Sequence, residues 1–189
     1  MKDIYYLTDL EIHKIVSKQE FKKNLYNFNL PFEFNLLNLS LIPDSLFQFC
    51  QKEGEEVCIS GINIPWIYYG MLYSTFCWHI EDLNLFSVNY LLEGKPKVWY
   101  SISSEDKENF ENYVKSKFYS SFIHDKKFLF SLKIQIDPKE LIENGIQVYR
   151  TIQNPGEIIV TSPKGYHMGF SLGNNIGEAV NFGVSINDN

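Results

Sequence analysis

The order of apolar and polar residues along the chain predicts mainly short strands. Strands are typically short runs of apolar, β-branched or aromatic residues that are bounded by turn residues. Such runs occur at 36–41, 75–81, 86–93, 97–102, 147–152, 157–161, 165–171 and 179–186. A longer apolar and aromatic stretch at 62–73 is interrupted by Pro65 and Gly70.

Fewer segments carry the signature of a helix. Thr8-Asp9-Leu10-Glu11 has the form of a capping box, which predicts a helix over 9–23. A short helix is predicted at 45–52, after Pro43-Asp44. Asp137-Pro138 puts proline at a first helical position, and Gly145 ends that helix.

One predicted helix is amphipathic. Phe110, Val114 and Phe118 recur at every fourth position and therefore lie on one face of a helix. This helix begins at Ser103 or Ser104, either of which provides a capping hydroxyl.

Many short strands with few helices indicate a mainly β fold with helical decoration, either a β-sandwich or a jelly-roll barrel. The turn Glu93-Gly94-Lys95-Pro96 predicts a hairpin that joins the strands at 86–93 and 97–102. A chain of 189 residues is most simply one domain with its own core.

Composition and charge narrow the classes of function. The hydrophobic fraction of 44% and aromatic fraction of 16% favour an ordered, sheet-containing fold over a disordered chain or a coiled coil. The net charge is −6 and no run of Lys and Arg forms a basic stripe, which argues against direct nucleic-acid binding. The same charge is compatible with a cationic peptide partner.

Cysteine usage and hydropathy indicate the compartment. The three cysteines are odd in number and lack CxxC spacing, which is typical of a protein in a reducing compartment without a zinc cluster. No signal peptide precedes the first predicted element, and no apolar run reaches membrane-spanning length. We therefore expect a soluble, intracellular protein that does not engage a membrane.

The candidate chemistry begins at His79 and Glu81. Residues two apart on a strand share a face, so these side chains project together. His167, in the segment SPKGYHMGF, is the candidate third ligand. Two histidines and one carboxylate, with other positions open, form the facial triad of non-haem Fe(II) oxygenases. A lone His-x-Glu pair is also common by chance. His13 and His124 lie in polar contexts where we expect solvent.

Polar residues on the next two strands favour the metal interpretation. Ser87 and Asn89 share one strand face, and Lys97 begins the following strand. A buried lysine costs several kcal/mol unless an anion pairs with it. An Fe(II) site of this type takes a 2-oxoacid whose far carboxylate requires a cation, which Lys97 would provide. The alternative is that Lys97 extends its ammonium to solvent from the end of a strand.

These residues lie in four stretches that resemble one known family. The stretches are GINIPWIYYGMLYSTFCWHIED, SVNYLLEGKPKVWY, VYRTIQNPGEIIVTSPKGYHMGF and EAVNF. They resemble the JmjC domains of 2-oxoglutarate-dependent histone lysine demethylases, most of all the subgroup that acts on methylated lysine 4 of histone H3. A weaker likeness in FNLLNLSLIPDSL extends the resemblance upstream, so residues 34–189 would form the catalytic core and residues 1–33 a helical or irregular N-terminal segment.

The resemblance implies a fold and a set of ligands. The fold would be a double-stranded β-helix of the jelly-roll or cupin type. Fe(II) would be bound by His79, Glu81 and His167. The cosubstrate 2-oxoglutarate would be held by Lys97 and Asn89, with Phe76 and Ser87 lining its pocket. In the family a tyrosine of a YGAD-like segment also binds this carboxylate, and the nearest equivalent is Tyr6-Leu7-Thr8-Asp9.

The resemblance also implies a substrate and a reaction. Tyr68 would contact the methylammonium group and Asn181 would lie beside the substrate peptide. The reaction would consume O₂ and 2-oxoglutarate, hydroxylate an N-methyl group of a histone-tail lysine and release formaldehyde. Such an enzyme would regulate chromatin in the nucleus. The same fold also occurs in protein hydroxylases, and a catalytically silent JmjC module would serve as a binding or scaffold domain. Intact ligands at His79, Glu81, His167 and Lys97 argue against the silent module.

Overall fold

The computed structural model describes backbone and side chains at residues 62, 64–125, 128 and 134–182. It also describes backbone strands at residues 4–8, 11–13, 51–52 and 55–56. The predicted strand at 36–41 and most of the predicted helices at 9–23 and 45–52 lie outside the described residues.

Two sheets form the framework of the protein. The six-stranded sheet has the order β2-β1-β10-β7-β12-β5, and the four-stranded sheet has the order β6-β11-β8-β9. All pairings within these two sheets are antiparallel except that of β1 with β10. The six-stranded sheet comprises β1 (Ile4–Thr8), β2 (Glu11–His13), β5 (Trp66–Gly70), β7 (Phe86–Gly94), β10 (Ile158–Thr161) and β12 (Asn175–Phe182). The four-stranded sheet comprises β6 (Thr75–His79), β8 (Lys97–Ile102), β9 (Tyr149–Gln153) and β11 (Tyr166–Ser171). A separate pair joins β3 (Gln51–Lys52) and β4 (Glu55–Glu56).

The two-sheet arrangement with few helices confirms the predicted mainly β class. The described helices are α1 (Lys107–Lys117), α2 (Tyr119–His124) and α3 (Pro138–Glu143). A 3-10 turn covers Asp82–Asn84. None of the helices in the described part of the chain is long and apolar enough to cross a membrane.

The predicted hairpin between β7 and β8 is wrong. These strands follow one another in the chain but belong to different sheets, since β7 pairs with β10 and β12 whereas β8 pairs with β11 and β9. The turn at Lys95, whose backbone N–H donates to the carbonyl of Asn174 at 2.8 Å, carries the chain from one sheet to the other. The tight turn was therefore predicted correctly, but the partners of its two strands were not.

The outer face of the four-stranded sheet packs on the helices. Phe110 and Val114 of α1 are fully buried against Trp78, Tyr166 and other residues of this core. Burial of an aromatic side chain of this kind stabilises a fold by about 1.5–3 kcal/mol. The remaining members of the core are Ile102, Ile134, Ile136, Leu141, Ile146 and Met168. Trp78, Ile102, Tyr166 and Met168 point to this outer core. Because side chains alternate along a strand, their direct neighbours in β6, β8 and β11 point to the inner face of the sheet.

The helix boundaries follow local chemistry with two corrections. Asp137 caps α3 by accepting a hydrogen bond from the backbone N–H of Lys139, as the Asp-Pro signature predicts. Helix α1 begins at Lys107, later than predicted. Residues 11–13 form a strand, so the helix predicted from the capping box is wrong there. Residues 51–52 are also a strand and not the end of a helix.

Candidate active site

Two histidines face each other on neighbouring strands of the four-stranded sheet. His79 at the end of β6 is the register partner of His167 in β11. The two rings lie 4.2 Å apart between centroids, on the inner face of the sheet. Directly opposed side chains in an antiparallel pair are the closest cross-strand neighbours. The pairing of β6 with β11 therefore brings together two residues that are far apart in the sequence.

Glu81 completes the cluster from just beyond the end of β6. Its backbone is extended, with φ −68° and ψ 150°, before the chain enters the 3-10 turn. Its Oε1 lies 3.2 Å from Nε2 of His167. The candidate ligand atoms of His79, Glu81 and His167 all lie within 4.8 Å of one another, close enough to bind one metal ion.

Backbone hydrogen bonds orient both imidazoles. Nδ1 of His79 lies 2.7 Å from the carbonyl of Cys77, and Nδ1 of His167 lies 3.2 Å from the carbonyl of Gly165. A carbonyl only accepts, so Nδ1 of each ring carries a proton and Nε2 is the nitrogen that remains to bind a metal. The same arrangement fixes the ring orientation of metal-bound histidines.

The protonation states suit a cation. Burial, with the charge of His167 next, lowers the pKa of His79 to about 4, so its ring is neutral near pH 7. Burial on its own would raise the pKa of Glu81, but the hydrogen bond and charge of His167 and a hydrogen bond from Ser87 outweigh it and lower this pKa to about 2. The cluster thus offers the imidazole nitrogens of His79 and His167 and the carboxylate of Glu81, a donor set that fits Fe(II).

A cavity of about 180 Å³ opens beside this cluster. It is lined by Tyr68, Phe76, His79, Glu81, Ser87, Asn89, Lys97, Trp99, His167, Ala179, Val180 and Asn181. Every site residue predicted from the sequence except Tyr6 is therefore on its wall. The structure brings these residues together, and their individual roles stay predictions.

Lys97 is the buried cation of this cavity. Its side chain is only 7% exposed, and no carboxylate among the described side chains pairs with it. Burial lowers its pKa. A Cβ atom at Gly177 would lie 3.0 Å from the carbonyl of Tyr90, which is a tight contact, and 3.6 Å from the ammonium of Lys97, which is an ordinary one. An uncompensated buried ammonium fits the carboxylate of a 2-oxoacid.

Aromatic rings form part of the cavity wall. Phe76 packs on Trp99 with ring centroids 4.6 Å apart, and its ring meets His79 edge-on at 6.3 Å. A Cβ atom at Gly169 would lie 2.5 Å from Phe76, so only glycine in β11 allows this ring to lie against the sheet. Phe76 and Trp99 therefore form a packed aromatic part of the cavity wall.

Hydroxyl groups connect the six-stranded sheet to the metal cluster. Ser87 of β7 and Thr161 of β10 are register partners whose hydroxyl oxygens lie 2.6 Å apart. The Thr161 hydroxyl also donates to Glu81 at 3.5 Å. Asn181 of β12 is the register partner of Ser87 on its other side. A single row of polar side chains thus crosses this sheet and ends at the carboxylate.

Of the two tyrosines predicted for the site, the structure places Tyr68 on the cavity wall and describes only the backbone of Tyr6. Tyr68 lies on the edge strand β5, is 42% exposed and lines the cavity, where burial and the charge of Glu81 raise its pKa. Tyr6 lies in β1 in register with Val160. The neighbouring Tyr5 is in register with Ile159, which is itself paired with Asn89. The role of Tyr6 stays a prediction.

Some residues of the site were not predicted from the sequence. Thr161 ends the apolar run IIVT, where threonine is an ordinary strand residue, so no pattern singled it out. Gln153 is fully buried and contacts Asn89. Trp99 shares a strand face with Lys97, as the sequence pattern predicts, but no role was predicted for it.

Comparisons with known proteins agree with this geometry. A family described as "JmjC domain, hydroxylase" matches residues 66–182. The chain is 40% identical over 148 residues to the lysine-specific demethylase JMJ703 of Oryza sativa subsp. japonica. It is 38% identical over 152 residues to the lysine-specific demethylase JMJ17 of Arabidopsis thaliana. These matches cover 78% and 80% of the chain but only 12% of the length of each relative.

Proposed function

The chain belongs to the JmjC domain family, and we propose that it is an Fe(II)- and 2-oxoglutarate-dependent lysine demethylase. The proposed substrate is an N-methylated lysine of a histone tail, most specifically lysine 4 of histone H3. The relatives named as lysine-specific demethylases support the reaction class. The likeness of the sequence stretches around His79 and His167 to one subgroup supports the choice of lysine.

One observation carries the proposal. A cluster of two imidazoles and a carboxylate lies on the same cavity as a buried lysine that has no carboxylate partner among the described side chains. The first feature fits a divalent metal and the second fits an organic anion. A 2-oxoacid that chelates the metal through one end and meets Lys97 with the other uses both.

The side chains of the cavity divide into those that bind the metal, those that orient the cosubstrate and those that exclude water. Iron and 2-oxoglutarate, when bound, supply the oxidation, in which O₂ is reduced while 2-oxoglutarate yields succinate and CO₂ and an N-methyl group is hydroxylated and leaves as formaldehyde. His79, Glu81 and His167 hold the iron. Lys97 and Asn89 orient the cosubstrate, and Phe76 and Trp99 exclude water from their side of the cavity.

The substrate would bind where the cavity meets the exposed strand β5. Tyr68 presents a half-exposed ring at the cavity wall, where an electron-rich face can hold a methylammonium group. Asn181 lines the same cavity and offers an amide to a peptide backbone. A histone tail is rich in lysine, and a chain of net charge −6 does not repel it. A nuclear location follows from this substrate and is part of the proposal.

The test is a mass measurement on peptides. The purified chain is incubated with Fe(II), ascorbate and 2-oxoglutarate together with histone H3 peptides that carry a methyl group either at lysine 4 or at another lysine. We expect loss of methyl groups from the lysine 4 peptide, with succinate formed in step. Succinate formation with demethylation only at another lysine would contradict the subgroup and leave the reaction class intact. No succinate with any peptide would contradict the enzyme itself.

A second candidate is a protein hydroxylase that acts on another side chain. The family description includes hydroxylases, and the metal cluster and Lys97 would serve both reactions equally. The peptide would then gain one oxygen and keep its methyl groups. Replacement of Tyr68 by alanine separates the two candidates further, because a demethylase loses affinity for methylated peptide and keeps its affinity for 2-oxoglutarate.

A further inference from the structure

One buried amide links the two sheets behind the cavity. Gln153, at the end of β9 in the four-stranded sheet, is 0% exposed. Its Oε1 accepts a hydrogen bond from the indole N–H of Trp99 at 2.9 Å. Its Nε2 lies 3.0 Å from the carbonyl of Asn89, 3.1 Å from the carbonyl of Glu157 and 3.2 Å from Oδ1 of Asn89. The amide therefore contacts a cavity-lining residue of each sheet, Trp99 and Asn89.

The orientation of the Gln153 amide is determined by its neighbours. An indole N–H can only donate, so the oxygen of Gln153 must face Trp99. Backbone carbonyls can only accept, so the nitrogen of Gln153 must face the carbonyls of Asn89 and Glu157. The opposite orientation would set two donors against each other at Trp99 and leave two carbonyls facing an oxygen, at a side chain that is fully buried.

The orientation of Gln153 determines that of Asn89. The two hydrogens on Nε2 of Gln153 point at three oxygens, one of which is Oδ1 of Asn89 at 3.2 Å. With its oxygen held on this side, the NH₂ group is the half of the Asn89 amide that remains for the cavity lined by this residue. The cavity wall then presents a second donor beside the ammonium of Lys97, and carboxylates accept from both.

We propose that Gln153 is a positioning residue that fixes the amide of Asn89 with its donor side toward the carboxylate of the cosubstrate. The order of contacts is Trp99 to Gln153, Gln153 to Asn89, and Asn89 to the ligand. The ligand meets a donor that is already oriented and does not have to turn the amide over on binding. This inference rests on the proposed function, since it names 2-oxoglutarate as the ligand.

The test is a double-mutant cycle on the affinity for 2-oxoglutarate. The chain is loaded with Mn(II), which stands in for iron without turnover, and 2-oxoglutarate binding is measured by calorimetry. Gln153→Met keeps the volume of the side chain and removes both hydrogen-bonding groups. We expect affinity to fall about tenfold in the wild-type background and less than about twofold in an Asn89→Ala background. The exposed Gln147 provides the matched control, Gln147→Met, which should change nothing.

The outcomes separate this inference from the proposed function. Equal losses in both backgrounds, or no loss in either, would overturn the inference alone, because the effect would then not pass through Asn89. Failure of the unsubstituted Mn(II)-loaded chain to bind 2-oxoglutarate would overturn both. Affinity for Mn(II) should stay unchanged in Gln153→Met, since the residue does not contact the metal cluster in the structure.

A measurement on the unsubstituted protein applies if Gln153→Met does not fold. With Zn(II) bound, the side-chain amide protons of Asn89 are followed by NMR while 2-oxoglutarate is added. We expect these protons to shift strongly and those of Gln153 to shift much less, because only the former meet the ligand. Asn89 amide protons that stay unchanged at saturating ligand would overturn the inference.

Discussion

The two ends of the cavity have opposite hydrogen-bonding chemistry. The outer end, at His79, Glu81 and His167, presents acceptors, namely two imidazole nitrogens and a carboxylate. The inner end presents the ammonium of Lys97 and, with Asn89 oriented as we propose, the NH₂ group of its amide, both of which are donors. Acceptors attract a cation and donors attract an anion, so the arrangement suits a metal ion and an organic acid that bind side by side.

The two ends also differ in how far other protein groups pair with their charged side chains. At the outer end Glu81 contacts His167 and Thr161, so its charge is partly satisfied by the protein. At the inner end no described carboxylate pairs with the buried ammonium of Lys97. The buried, unpaired charge of Lys97 therefore lowers the stability of the fold, and such a loss of stability is common at ligand-binding sites.

The largest effect is expected at the outer end. His79→Ala removes one of three metal ligands and should abolish both stable metal binding and turnover, measured by metal content after gel filtration and by succinate formation. His124→Ala, on the exposed surface of α2, is the matched control and should be neutral. Full activity in His79→Ala would show that the cluster does not bind the metal.

A change at the inner end should affect only the organic ligand. Lys97→Met removes the charge and keeps the length of the side chain. The dissociation constant of 2-oxoglutarate should rise about 100-fold, because a buried ionic hydrogen bond contributes about 1.5–3 kcal/mol. Metal affinity should stay the same, and Lys95→Met provides an exposed control on the same connection. Loss of metal and cosubstrate together in Lys97→Met would contradict the separation of the two ends.

A smaller effect on the metal should arise from the other sheet. Thr161→Val removes the hydroxyl that donates to Glu81 at 3.5 Å. Outer hydrogen bonds to metal ligands typically support affinity, so we expect metal binding to weaken about tenfold while 2-oxoglutarate affinity at saturating metal is kept. Thr151→Val, at a buried threonine that does not line the cavity, serves as the control. A selective loss of 2-oxoglutarate affinity would assign Thr161 to the inner end.

The smallest effect concerns stability without ligand. Lys97→Met should raise the free energy of unfolding of the ligand-free chain by about 1 kcal/mol near pH 7, because a buried unpaired charge is removed. Burial lowers the folded-state pKa of Lys97 below its ordinary value of 10.5, so the unfolded chain binds more protons between the two values. The free energy of unfolding of the wild type should therefore rise relative to that of the variant as pH rises toward 10.5. A variant less stable than the wild type in urea at pH 7 would contradict this account.

The elements predicted well from the sequence are those determined by neighbouring residues. The Asp137-Pro138 signature, with the Asp137 cap that the structure contains, marked helix α3, and the spacing of Phe110 and Val114 identified the buried face of α1. The hairpin prediction failed because strand pairing depends on residues far away in the chain, here β10, β11 and β12. The N-terminal capping box failed at 11–13 because pairing with β1 outweighed a local helix signal.

The site was predictable where residue type alone is informative. Histidine, glutamate and lysine in apolar strands are unusual, so the sequence marks His79, Glu81, His167 and Lys97 as candidates, and the resemblance adds weight to them. Gln153 and Thr161 could not be selected in this way, because their importance comes from which side chains the two sheets bring opposite each other. The resemblance supplied Phe76, Tyr68 and Asn181, which ordinary sequence patterns cannot distinguish from core or turn residues.

The central claim is that both ends of the cavity hold one chelating ligand, and calorimetry tests it most directly. Titration of 2-oxoglutarate into the chain with and without Mn(II) should give at least about tenfold tighter binding when the metal is present, because one molecule then contacts the metal and Lys97 together. Equal affinity with and without the metal would contradict the account, since the acid would then bind without contacting the metal cluster.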